Sequence, residues 1–84
     1  MSIDLVSVLR LRVVADADPV ALVRVLERFQ NLNLLPRRVL AEFGIGDTVH
    51  VEVDITGIPE DMLTLIASKL RATPCIRNAY WHRA

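Results

Sequence analysis

The side chains able to do chemistry are few in this chain. Its single cysteine, Cys75, and its two histidines, His50 and His82, include no two at a metal-ligand spacing. No metal and no cofactor is expected. A cysteine nucleophile needs a nearby histidine and a third group to orient that base. Cys75 instead follows Pro74 where a strand is expected to begin, a place for a small buried side chain. His50, Glu52 and Asp54 alternate along one strand and invite an acid–base reading, but alternation alone puts them on one face. We expect a wet sheet face there, and no catalytic residue is assigned. Arg37 and Arg38 are an adjacent pair that suits either a small anion or a solvated strand end.

The elements that must position these residues follow from periodicity. Leu5 to Val14 alternates Arg10 and Arg12 against Leu9, Leu11 and Val13, which predicts a strand with one face buried. Asp16, Ala17 and Asp18 break that pattern. Asp18 before Pro19 then starts a helix, because a carboxylate can accept orphan amide hydrogens and proline costs nothing at the first turn. The helix is predicted from Pro19 to Leu32, with Leu22, Val25, Leu26 and Phe29 inward and Arg24, Glu27 and Arg28 outward. Asn33 supplies a left-handed stop and Pro36 forbids continuation.

A short strand from Val39 to Phe43 leads into Gly44, Ile45, Gly46 and Asp47, which carry hairpin chemistry. Thr48 to Ile55 alternates without a break, Val49, Val51, Val53 and Ile55 against Thr48, His50, Glu52 and Asp54. Thr56 and Gly57 end it. Pro59, Glu60 and Asp61 open a second helix with the stripe Met62, Leu63, Ile66, Ala67 and Leu70, and the acidic pair suits the positive end of the helix dipole. Pro74 closes that segment. Ile76 to His82 is a last strand with Ala79 and Trp81 inward and Tyr80 on the other face.

Strand-helix-strand-strand-helix-strand in this order predicts an α+β, ferredoxin-like βαββαβ two-layer sandwich. The antiparallel sheet has order 4-1-3-2, with both helices on one face. At 84 residues and 52% apolar the chain is expected to be a single domain over residues 1–84, with a core limited enough that self-association helps it. Ten basic residues balance ten acidic ones, so no field collects phosphate backbone or anionic lipid. Neither strand one nor strand three holds the aromatics that stack bases on this kind of sheet. No nucleic-acid partner and no membrane partner is expected, and the chain reads as cytoplasmic. Arg10 and Arg12 lie beside Glu52 and Asp54 in this strand order and should form cross-strand ion pairs.

The segment Asp16 to Phe29, with its Asp18, Pro19, Leu22, Arg24, Val25 and Phe29, resembles the start of ACT domains. The run Pro74, Cys75, Ile76 and Ala79 is similar to the same family's entry into the last strand. The likeness spans nearly the whole chain, and within the family it is nearest in flavour to the short regulatory small subunit of acetohydroxyacid synthase. The resemblance implies a regulatory, non-enzymatic module of amino-acid metabolism, with a larger catalytic subunit as a possible partner. It also implies a ligand site between two copies, at Asp16, Asp18, Val20 and Ala21: the two carboxylates for an ammonium group, and the first amides of the helix for a carboxylate. Val20 stands where the family has a glycine, and Ala17 and Leu35 where asparagines often stand. These replacements remove polar handles and add bulk, so no strong response to branched-chain amino acids is expected.

Two further readings are a dimerising interaction domain without a ligand and a small ferredoxin-like enzyme. For the second the chain offers neither a phosphate-cradling loop nor a nucleophile. A homodimer is expected in either non-enzymatic case. The second strand is an edge whose Val39, Leu40 and Ala41 carry unpaired amides guarded only by Arg37, Arg38 and Glu42.

Overall fold

A computed structural model describes residues 7–84. Six elements follow one another: β1 (Leu9–Asp16), α1 (Pro19–Gln30), β2 (Arg38–Phe43), β3 (Thr48–Ile55), α2 (Glu60–Arg71) and β4 (Ile76–Arg83). They form one antiparallel sheet in the order β2-β3-β1-β4, the expected ferredoxin-like arrangement. The Leu5 and Val6 positions of the expected first strand lie outside the described residues. At its other end the strand is longer than expected. Ala15 and Asp16 still pair with Val49 and Thr48, so Asp16 is a strand residue and only Ala17 and Asp18 break away.

Alternation decides which face each strand buries. Leu9, Leu11, Val13 and Ala15 of β1 point to the helix side and are buried, as are Val51, Val53 and Ile55 of β3 and Ile76 and Ala79 of β4. Each such valine, leucine or isoleucine contributes roughly 1.5–3 kcal/mol when fully removed from water. The helices close over this face with Ala21, Val25 and Phe29 from α1 and Leu63, Ile66, Ala67 and Leu70 from α2. Trp81 packs against the core edge, and its indole N–H donates to the Thr64 hydroxyl at 2.8 Å.

The α1 stripe is rotated by about one residue from the expected one. Leu22 is only half-buried and Leu26 is exposed, while Ala21 takes the core position. The cause lies in the sheet. α1 packs on β1 and against α2, which leaves the β2 side of the helix, where Leu22 and Leu26 stand, without a covering element.

Local chemistry sets the helix ends. The Asp18 carboxylate accepts from the Val20 N–H at 2.9 Å, and Pro19 occupies the first turn. At the far end Leu34 N–H donates to Phe29 O and Asn33 N–H to Gln30 O, with Asn33 at φ 56°, a Schellman arrangement. Helix α2 carries Glu60 and Asp61 in its first turn and Lys69 and Arg71 in its last, matching its dipole at both ends.

The two glycines of the β2–β3 hairpin are held for different reasons. Gly46 has φ 69° with open space around its Cα, so its constraint is conformational. Gly44 is crowded. A Cβ there would stand 2.6 Å from the His50 ring and 2.6 Å from Thr48 Oγ1. Ile45 between them is almost fully exposed. Thermal melts should therefore show Gly44→Ala and Gly46→Ala both destabilised, the second by about 1–2 kcal/mol of left-handed strain. Gly46→Asn should recover most of that loss, and Ile45→Ser should melt like the parent. Equal melting of both alanine variants and the parent would refute this account of the turn.

Candidate functional site

The residues expected to hold a ligand do not converge. Asp16 Oδ1 accepts from Arg77 Nε at 2.7 Å, on the outer pair β1–β4. Asp18 is occupied as the helix cap, and its backbone carbonyl takes the Ala21 N–H. Val20 is exposed, and Ala21 points into the core with no accessible surface. Both carboxylates thus have partners, and the amides of Val20 and Ala21 are bonded. A zwitterion at this corner would have to displace the cap.

What the start of α1 does shape is a cleft of about 230 Å³ lined by Ala17, Asp18, Pro19, Leu22, Phe43 and Val49. Five of these six side chains are apolar, and no cation is among them. The sequence reading missed Phe43, Leu22 and Val49 as walls of the cleft. The signal was present in the alternation of β2, which sends Val39, Ala41 and Phe43 to the helix side beside Val53, Val51 and Val49. A second cleft, about 370 Å³, is lined mainly by Leu26, Phe29, Leu34, Leu35 and Pro36.

Between the two clefts runs the edge of the sheet. β2 pairs only with β3, and no helix covers it. Val39 is 43% exposed, Phe43 88% and Leu35 89%. The expected interface residues divide between two faces. Val39 and Ala41 lie on the helix side, whereas Leu40 lies on the open side, half-buried opposite Glu52.

The open side carries a ladder of charges across three strands. Arg12 meets Glu52 at 2.9 Å, Arg38 meets Glu52 at 3.2 Å and Asp54 at 3.5 Å, and Arg10 grips Asp54 through Nε at 2.7 Å and Nη2 at 3.0 Å. The pairing of Arg10 and Arg12 with Glu52 and Asp54 is as expected. Arg38 is the addition. His82 Nε2 accepts from Arg12 Nε at 3.0 Å while Nδ1 lies 2.9 Å from the Arg83 carbonyl. Both bonds are satisfied by the neutral ring with its proton on Nδ1. Tyr80 stands opposite Arg12, half exposed. His50 projects over Gly44, and Cys75 sits half-buried against the core. Among the described residues no group of three or more His, Cys, Asp or Glu side chains could hold a metal ion.

Asp54 is the buried member of the ladder, 6% exposed. The Arg10 hydrogen bonds hold its carboxyl below the ordinary carboxylate value, against the opposing effect of burial, and the charges of Arg10 and Arg38 add to the lowering. A folded-state value below the unfolded one contributes stability that is complete above about pH 4, and that is lost as pH falls through the folded value. Urea unfolding should show Asp54→Asn less stable than the parent at pH 7. The gap should close as both are taken below pH 4. A gap independent of pH would contradict the ion-pair account.

The sequence matches no family model and no curated protein. Solved structures are similar in fold. The C-terminal domain of the MgtC protein from Mycobacterium tuberculosis superposes with a TM-score of 0.77 at 12% identity, covering 100% of this chain and 94% of that one. The ACT domain from GTP pyrophosphokinase of Chlorobium tepidum does so with a TM-score of 0.74 at 14% identity, covering 92% and 99%. The uncharacterized protein TM1266 from Thermotoga maritima gives 0.72 at 11% identity, covering 93% and 96%. At these identities the likeness speaks to fold alone: the chain has the ferredoxin-like βαββαβ fold that an ACT domain also adopts.

Proposed function

We propose that this chain is a non-catalytic, ACT-type regulatory and interaction module that works as a homodimer joined along β2. One observation carries the reading: the edge strand and the clefts at its two ends expose Val39, Phe43, Leu26 and Leu35 beside an unpaired backbone edge. An edge of this kind is a template for another strand, and a second copy is the partner always at hand. The ACT resemblance of the segment Asp16 to Phe29 points the same way, as does the fold shared with the GTP pyrophosphokinase ACT domain.

The regulated partner in this reading is a larger catalytic subunit of a cytoplasmic amino-acid biosynthetic enzyme. Acetohydroxyacid synthase is the candidate that the sequence resemblance supplies. The corner of α1 favours a module that transmits contact without an amino-acid effector, because Asp16 and Asp18 are already bonded and the adjacent cleft is apolar. Among the described residues no helix is long and apolar enough to cross a membrane.

Light scattering coupled to size exclusion, repeated across dilution, should give a dimer at micromolar concentration. Phe43→Lys should shift it to a monomer that is still folded but melts lower than the parent dimer. Calorimetric titration of the dimer with valine, leucine and isoleucine should give no binding in the micromolar range. A parent chain that is monomeric at micromolar concentration would sink the dimer reading, and micromolar binding of any of the three amino acids would sink the effector-free one.

A further inference from the structure

The backbone of β2 narrows the ways in which two copies can pair. Gly44 N–H donates to Thr48 O, and on the neighbouring ladder Ala17 N–H donates to Asp47 O. In an antiparallel pair bonded and non-bonded positions alternate. The even-numbered residues of β2 therefore bond to β3, and the amides of Val39, Ala41 and Phe43 point off the sheet. Two such edges can join antiparallel only with outward residues opposite outward residues. The two-fold axis must then pass through a residue and not between two.

Charge selects the residue. Glu42 lies on the open face of the sheet, exposed, and makes no ion pair among the described residues. Arg38 lies on the same face four positions earlier. An axis through Glu42 would set two carboxylates against each other. An axis through Ala41 would set Glu42 opposite the partner's Leu40. An axis through Leu40 sets Arg38 opposite the partner's Glu42, twice by symmetry, and leucine opposite leucine between them. Val39 then faces the partner's Ala41 on the helix side.

Resting on the β2-edge dimer proposed above, we infer that the two copies pair in register about Leu40, with reciprocal Arg38–Glu42 ion pairs. This arrangement continues the ladder of Arg10, Asp54, Arg38 and Glu52 from one sheet into the other, and it gives Glu42 the counter-charge it lacks among the described residues of its own chain.

Cysteine cross-linking reads the register directly. At the axis Leu40 meets its symmetry mate in a non-bonded pair with Cα atoms about 4.5 Å apart, inside the range a disulfide spans. In the same register two copies of residue 41 are diagonal neighbours, roughly 7–8 Å apart and outside it. Under mild oxidation Leu40→Cys should form a covalent dimer in high yield. Ala41→Cys and the parent, whose one thiol is Cys75, should not. Separately, Glu42→Lys should weaken the dimer roughly tenfold by facing Arg38 with a like charge. A dimer that cross-links through Ala41→Cys and not through Leu40→Cys overturns the register and leaves the dimer standing. Unchanged affinity in Glu42→Lys likewise overturns the register alone. A chain monomeric at every concentration overturns the dimer and the register together.

Discussion

Antiparallel pairing of β1 with β3 is the constraint on which the other contacts depend. Eight residues of each strand stand opposite one another, from Leu9 with Ile55 to Asp16 with Thr48. Side chains on the two faces agree on that alignment. On the helix side it places Leu9, Leu11 and Val13 beside Ile55, Val53 and Val51 in the core. On the open side it places Arg10 on Asp54 and Arg12 on Glu52. A slip of one residue in either strand would turn that strand's side chains to the wrong face, exposing its core row and burying its charged row beneath the helices. The apolar row supplies most of the stabilisation and the ionic row penalises the misaligned alternatives.

The outer strands inherit this alignment and differ in how they are covered. β4 lies under α2, with Ile76 and Ala79 buried and Arg83 reaching Glu60. β2 has no such cover, because α1 packs on β1 and against α2. The same packing sends Ala21 inward and leaves Leu26 facing the empty side of the sheet. Exposed apolar residues on an edge strand are costly to keep in a soluble protein unless another surface meets them. The asymmetry between the two edges is thus the feature that most separates a free-standing domain from one half of an assembly. Arg38 ties that edge back to the centre of the sheet through Glu52 and Asp54, so the edge is ordered before any partner arrives.

Much of this was legible in the residues. Unbroken alternation from Thr48 to Ile55 and around Arg10 and Arg12 fixed both central strands and their ion pairs. The helix starts were written in Asp18-Pro19 and in Pro59-Glu60-Asp61, and the stop in Asn33. The face of α1 was harder to read. Alanine carries a weak apolar signal and leucine a strong one, so periodicity favoured Leu22 and Leu26 over Ala21, and only the position of the helix on the sheet decides between them. The ligand corner was hard to read for a related reason. Asp18 caps the helix, as its place before Pro19 foretold, but nothing local marks Asp16 as the partner of Arg77, a contact made across the β1–β4 pair where the register shifts between Val14 and Ala15. Phe43, the most exposed apolar side chain of β2, was read as one more strand residue because nothing local reveals that its face is uncovered.

The central claim is that the free side of β2 is completed by a second copy, and the exchange of its backbone amides tests it most directly. Measured by NMR from low to high protein concentration, the amides of Val39 and Ala41, which point off the sheet, should be unprotected when dilute and become protected as concentration rises. Those of Leu40 and Glu42, bonded to β3, should be protected throughout. Exchange at Val39 and Ala41 that stays fast and independent of concentration would contradict the account.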